Sequence, residues 1–314
     1  MKIVFIGSGD IGIPVLEWLA SAPGVDLAGV VTQPDRPAGR GLQLTACAIK
    51  EKALSRGLVP LQPSRIRAPE AIGEIALLRP DLLVVMAYGQ ILPQELLDVP
   101  KLGALNLHAS LLPRHRGAAP VHAALLAGDQ ESGITVMWMD AGLDTGDILL
   151  QSAISIAPDE TAGTLHDRLA LLAPAALEEA VRLVREGHPP RLKQDGASAT
   201  YAPKLDRQAG RIEWSAAAEE IARRVRAFHP WPGSSADLEL ADGRVLPVKV
   251  RRAEALSGSA AAGDILPGFH VGCGGGGLLG IAEIQAPGGR AMSGEDFQRG
   301  HRAVRFRASV PPVR

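Results

Sequence analysis

The chain has 314 residues, 33 basic and 34 acidic side chains, a formal net charge of −1 and two cysteines. At roughly 150 residues per domain this predicts two domains, large enough to fold without a staple; Cys47 and Cys273, with no CxxC partner, exclude a disulfide scaffold and a cysteine-built zinc site. No apolar run reaches the roughly 18 residues of a membrane span, and the opening MKIVFIGSGDIG breaks into glycine too early for a signal peptide, so a soluble cytoplasmic protein is expected.

Along the first half, strand and helix patterns alternate. Residues 2–6 (KIVFI) read as a strand, 14–20 as helix, 25–32 (VDLAGVVT) as strand, and 46–56 and 69–78 as helices. Residues 81–86 (DLLVVM) are apolar on both faces and read as a buried strand. Residues 104–108 (ALNLH), 134–139 (ITVMWM) and 148–154 follow as strands, and 161–186 as a long Ala/Leu helix. This alternation predicts an α/β domain with a parallel, doubly wound, Rossmann-like sheet over residues 1–187. The stretch 187–203 (GHPPRLKQDGASATYAP) reads as a linker, placed at 188–205. Residues 206–314 then show one helix, 215–228, and strand candidates at 236–240, 246–253, 280–285 and 303–310 between Gly/Pro turns, which suggests a small β-barrel. The run GCGGGG at 272–277 reads as a hairpin connection.

Charge is divided unevenly: residues 1–205 carry a net −4 and residues 206–314 a net +3. The last sixteen residues, from Arg299, hold five arginines and no acid, either a solvated end or a contact for a polyanion.

Gly7-Ser8-Gly9-Asp10-Ile11-Gly12 is a literal G-x-G-x-x-G between a strand and a helix. A dinucleotide site would also want an acid at the end of the second strand. Thr32 and Gln33 stand there, and Asp35 lies beyond the strand, so a tight turn with close helix packing is the expectation.

The chemistry-bearing stretch is 103–120, GALNLHASLLPRHRGAAP. Asn106 and His108 are two apart on a strand and therefore share a face, near the strand end where open α/β sheets place ligands. A second polar loop, DAGLDTGD at 140–147, supplies Asp144. An Asn, a His and an Asp without a Ser or Cys nucleophile suggest direct acyl transfer. Asn106 would donate to a developing oxyanion, His108 would act as general acid, and Asp144 would hold the imidazole and favour its charged form or relay a proton. His115 and His122 have weaker claims; with His108 they fall seven apart, but Pro113 and Gly117 break any helix that would align them, so no metal site is expected.

HASLLPRHRGAAP followed by GLDTGDI resembles the signature of the 10-formyltetrahydrofolate-dependent formyltransferases. TQPDRPAGRG (32–41), YAPKLDRQAGRIEW (201–214), RAFHPWPG (226–233) and GGRAMSGEDF (288–297) resemble the branch of that family acting on charged initiator tRNA, and the similarity covers nearly the whole chain. The resemblance implies a Rossmann-like formyltransferase domain followed by an OB-like barrel that binds tRNA. It implies transfer of the formyl group of 10-formyltetrahydrofolate to the α-amino group of methionyl initiator tRNA, with no metal and no nucleotide cofactor. Asn106, His108 and Asp144 match the family's catalytic trio. Ser110, Leu111, Leu112 and Pro113 match its folate segment, and the loop with Met86, Tyr88, Gly89, Gln90 and Ile91 matches the pteridine pocket. Arg40 matches the basic residue of an inserted loop that reaches the tRNA end. Arg36 would share that contact, and Arg302 and Arg305 of the barrel would add to it. Two departures stand out: Ile11 replaces a usual aromatic near the methionyl side chain, and Leu42 and Gln43 replace lysines in the inserted loop. A sugar-nucleotide or glycinamide-ribonucleotide formyltransferase, a nicotinamide oxidoreductase and a non-catalytic RNA-binding module are the competing readings. Two domains able to clasp one tRNA, and no coiled-coil pattern, suggest a monomer.

Overall fold

A computed structural model of the chain describes residues 1–38 and 41–308. Contacts divide it into two compact units. One comprises residues 1–120, 131–155 and 166–203, and the other residues 121–130, 156–165 and 204 onward.

The first unit is built on a six-stranded sheet in the spatial order Asp26–Val31, Lys2–Gly7, Leu82–Met86, Ala104–His108, Glu131–Trp138, Ile148–Ser155. Leu82–Met86 lies centrally and every one of its residues is buried, as a strand apolar on both faces requires. The first four strands pair in parallel. The expectation of a wholly parallel sheet needs correction at the other edge, where Glu131–Trp138 runs antiparallel to Ala104–His108 and to Ile148–Ser155. The reason is visible in Ile148–Ser155, whose burial alternates along its length like an antiparallel strand with one face in water. The loop 140–147 therefore closes a hairpin instead of leading into a crossover helix.

Parallel order brings the carboxyl ends of Lys2–Gly7, Leu82–Met86 and Ala104–His108 to one edge, where ligands of such sheets bind. Helices Ile13–Leu19, Ala48–Ser55 and Pro69–Leu77 fall within two residues of their expected bounds, and the long helix runs Ala162–Arg185. Among the elements not read from sequence are the short antiparallel pair Arg36–Ala38 with Gln43–Thr45, the short helix Gln94–Leu97, the pair Arg116–Gly117 with Tyr201–Ala202, and helix Pro120–Ala127.

His166, on the long helix, faces two carboxylates. Its Nε2 is 3.2 Å from Asp10 Oδ1 and its Nδ1 is 3.0 Å from Asp167 Oδ1. The hydrogen bond to Asp10, opposed by burial, raises His166 above the usual histidine value of 6.5. The same bond holds Asp10 below the usual 3.8. The His166 contribution is fully present below pH 6.5 and is lost as pH rises through its higher folded value. The Asp10 contribution is present above pH 3.8 and is lost as pH falls through its lower folded value. His166→Gln should therefore lower the unfolding temperature at pH 5.5 and have much less effect at pH 8.5. Because Asp10 is largely exposed, the difference should be below about 1 kcal/mol; pH-dependent thermal melts measure it.

The second unit is an antiparallel sheet in the order Ile265–Leu266, His270–Gly272, Leu278–Gln285, Val245–Leu256, Ser234–Leu240, Ala303–Phe306, with Ala291–Met292 added beside Leu278–Gln285. A bridge between Asp264 and Arg305 joins the two ends, so the sheet nearly closes into a barrel. Inside it Trp214 lies 4.5 Å from Phe306 between ring centres, and Phe269 packs against both Phe297 and Phe306. The helix expected at 215–228 spans Ala218–Ala227. The glycine run 272–277 does connect two antiparallel strands, but it is fastened: the Gly274 N–H points at the carbonyls of Trp214 and Ala216, both at 2.9 Å. The last strand ends at Phe306, short of the expected 310, and residues 309–314 of the arginine tail lie outside the described residues. Helix Gly294–His301 was missed, although Ser293 caps it through the Asp296 N–H at 3.1 Å and Ser before an acidic first turn is a helix-start signal.

Candidate active site

Strand Ala104–His108 places Asn106 and His108 on one face, and both side chains meet Asp144. Asn106 Nδ2 lies 3.4 Å from Asp144 Oδ1, and His108 Nδ1 lies 3.6 Å from Asp144 Oδ2. The Gly117 N–H donates to Asp144 Oδ2 at 2.8 Å. The carboxylate is thus the hub of three segments: the strand, the loop after it and the hairpin 140–147.

His108 is buried, 6% exposed. Its Nε2 stands 2.9 Å from the His115 carbonyl, which can only accept, so Nε2 carries hydrogen. In the neutral ring the lone pair is then on Nδ1, facing Asp144. A proton arriving at Nδ1 creates an imidazolium held between a carbonyl and a carboxylate. The 3.6 Å gap exceeds hydrogen-bond length, so Nδ1 keeps its capacity for a third group. Asn106 Nδ2 has two hydrogens, and Asp144 engages one of them. The contribution of His115 lies in its backbone and not in the imidazole that sequence inspection weighed. His115 takes a left-handed φ of 61° that turns its carbonyl toward His108.

The segment Ser110–Pro113 is set by groups that motif reading missed. Buried Thr135 Oγ1 donates to the Ser110 carbonyl at 2.6 Å and accepts from the Leu112 N–H at 3.1 Å. Gln151 Nε2 donates to the Leu112 carbonyl and to Thr135 Oγ1, both at 2.9 Å. Ser110 is buried and its hydroxyl donates to the Arg114 carbonyl at 2.7 Å. Leu112 packs on Met137 and Ile148, while Leu111 and Pro113 are partly exposed. Thr135 and Gln151 sit opposite each other on neighbouring strands, and buried Thr135, a polar residue within the apolar run ITVMWM, was the signal available.

Met86 and Tyr88 are core residues. Tyr88 packs with Val4, Ile66 and Leu92, its hydroxyl has no hydrogen-bond partner among the described residues, and burial pushes that group up to about 12. Gly89 (φ 81°) and Ile91, 75% exposed, are the outward members of this loop. Gln90 Oε1 accepts from the Ile66 N–H at 2.9 Å. The Tyr88 carbonyl accepts from Gln33 Nε2, and Gln33 Oε1 accepts from Arg36.

The glycine fingerprint is explained by packing. The N–H groups of Ser8 and Gly9 both donate to the Ala87 carbonyl, at 3.2 and 3.1 Å. A Cβ on Gly7 would stand 2.8 Å from the Met86 carbonyl oxygen, and one on Gly9 2.9 Å from the Ala87 methyl. These amides are aimed at a neighbouring loop, not at a phosphate, and the glycines let that loop approach.

Of the basic residues, Arg36 is exposed on the hairpin and Arg40 lies outside the described residues. Arg302 and Arg305 are exposed on the barrel, Arg302 at the left-handed end of helix Gly294–His301 and Arg305 opposite Glu239. The tail that lacks acids in sequence meets them in space: Arg299 pairs with Asp296, and Arg307 lies 3.2 Å from Glu239. Among the described residues no three His, Cys, Asp or Glu side chains form a set that could hold a metal ion, and no helix is long and apolar enough to cross a membrane.

Comparison with known proteins finds two family models in sequence order, Formyl transferase over residues 1–181 and Formyl transferase, C-terminal domain over residues 204–302. A methionyl-tRNA formyltransferase of Geobacter metallireducens is 45% identical over 306 residues, covering 96% of each chain. One from Pseudomonas paraeruginosa is 47% identical over 306 residues, with the same coverage. Among solved structures, the sugar 3N-formyl transferase WlaRD, determined with dTDP and 5-N-formyl-THF, matches at a TM-score of 0.64 and 16% identity over 89% of this chain and 96% of that one. At that identity the likeness is one of fold.

Proposed function

The chain belongs to the formyl transferase family, and from that premise we propose that it passes the formyl group of 10-formyltetrahydrofolate to the α-amino group of methionyl initiator tRNA. The observation that carries the reading is full-length similarity at 45% and 47% identity to methionyl-tRNA formyltransferases, joined to a site in which one carboxylate meets both Asn106 and His108.

The chemistry follows from these residues. The neutral α-amine attacks the formyl carbon, and the carbonyl oxygen gains negative charge. Asn106 supplies an N–H to that oxygen. His108 takes the proton that the amine sheds, at Nδ1, where Asp144 offsets the new positive charge. The same proton then goes to the folate nitrogen as the carbon–nitrogen bond breaks. An α-amino ester is less basic than a lysine, so no strong base is required for attack. The formyl carbon arrives on folate, and the reading calls for neither metal nor nucleotide.

In this reading the folate lies against residues 86–91 and 110–113. Exposed Ile91 offers an apolar surface and Gly89 an open backbone. Catalysis is assigned to residues 1–187 and tRNA binding to 206–314, with Arg36, Arg40, Arg302 and Arg305 meeting phosphates as a cytoplasmic monomer clasps one tRNA. The test is transfer from 10-formyltetrahydrofolate to charged initiator tRNA, with charged elongator tRNA and an amino sugar nucleotide as competitors. Efficient transfer to the initiator alone is expected; preference for the sugar nucleotide would overturn the substrate assignment.

A further inference from the structure

Residues between the two matched family regions do more than connect them. Leu192 pairs with Ile148, and Tyr201 and Ala202 pair with Arg116 and Gly117. Between those anchors sits Gln194, half-buried, with its amide fully engaged. Its Nε2 donates to the carbonyls of Asp144 at 2.9 Å and Gly146 at 2.8 Å. Its Oε1 accepts two bonds from Arg116, from Nε at 3.1 Å and Nη2 at 2.7 Å. Both donors and both lone pairs of the amide are used. Arg116 has only donors, so it fixes which end of the amide faces Asp144.

Asp144 needs such a hold. Its φ of 53° is left-handed, a conformation that costs a non-glycine residue free energy and persists only where surroundings impose it. Gln194 binds the carbonyl of that residue and of Gly146 two places on. Gly117, next to Arg116, binds its carboxylate. Backbone and side chain of Asp144 are therefore located by adjacent residues of one clamp. Gly117 itself must lack a side chain, because a Cβ there would stand 2.6 Å from the Ala202 carbonyl oxygen.

We propose that Gln194, oriented by Arg116, is a positioning residue for formyl transfer, holding Asp144 where its carboxylate faces His108 and Asn106. This rests on the assignment of Asp144 to the reaction. Gln194→Glu keeps the shape and the Arg116 contact but turns an acceptor toward two carbonyls. It should lower kcat by about 10- to 100-fold, the cost of a misplacement near 1 Å, with KM for both substrates within about twofold of the parent.

The deciding experiment is a double-mutant cycle with Asp144→Asn, reading kcat and its pH profile, with circular dichroism and thermal melts confirming folding. The loss caused by Gln194→Glu should shrink to about twofold or less in the Asp144→Asn background, because a residue acting through the carboxylate has nothing left to position. Its pH profile should change in the same sense as that of Asp144→Asn. Additive losses, or an unchanged kcat in Gln194→Glu, would overturn the inference while leaving the functional reading intact. Near-parental turnover by Asp144→Asn would instead remove the premise for both. If Gln194→Glu fails to fold, Gln194→Met, which removes the bonds without adding charge, enters the same cycle under the same criteria.

Discussion

His108→Ala is expected to lower kcat for formylation of methionyl initiator tRNA by about 10³-fold, within the 10²–10⁴ range of a lost acid–base group and equivalent to about 4 kcal/mol of barrier. The imidazole is placed to receive a proton at Nδ1 while its Nε2–H is held by the His115 carbonyl at 2.9 Å. Alanine removes the proposed proton carrier and leaves segment Ser110–Pro113, to which folate binding is assigned in the proposal, supported by Thr135 and Gln151. Folate binding, measured by fluorescence titration or calorimetry, should therefore change little. Turnover within tenfold of the parent in single-turnover assays would show that His108 does not carry the proton. A parallel loss of folate affinity would place it in binding instead.

Asp144→Asn is expected to cost about 10²- to 10³-fold in kcat, in line with removal of one electrostatic partner from a transition state. Its oxygen can still accept from the Gly117 N–H, so the loop has reason to stay in place. What disappears is the negative charge 3.6 Å from His108 Nδ1. The imidazolium that the proposed mechanism forms would then have a carbonyl on one side and a neutral amide on the other. The amide can also present its N–H toward Asn106 Nδ2, setting donor against donor. The loss should appear in kcat with KM for tRNA nearly unchanged, and thermal melts should stay close to the parent. An equal rise in both KM values would mark Asp144 as a structural residue of the loop.

Much of this was legible in the chain. Asn106 and His108 share a face because strand residues two apart must, and Leu82–Met86 is central because it is apolar on both faces. The low prospects of the glycine fingerprint could be argued from Thr32 and Gln33 where a ribose-binding acid should stand. The Ala87 carbonyl facing the Ser8 and Gly9 N–H groups supplies the physical cause. The antiparallel edge was misread because a strand's direction is not written in its own pattern, and only the alternation in Ile148–Ser155 hinted at it. Thr135, Gln151 and Gln194 escaped because each acts through backbone carbonyls far away in sequence, which leave no motif.

Charge divides in the same way. Sequence alone determined the family motifs, the identity of the Asn–His–Asp set and the basic lean of residues 206–314. It could not show that Arg307 is matched by Glu239, 68 positions away, because that pairing depends on which side chains folding brings close. Nor could it show that Asp144 meets His108, 36 positions earlier in the chain, with its backbone turned left-handed. Residue type and spacing are properties of the chain, and they decide which chemistry is available. The distance and orientation that make one carboxylate serve two partners come from the tertiary contacts of Gly117 and Gln194, and only folding brings those together.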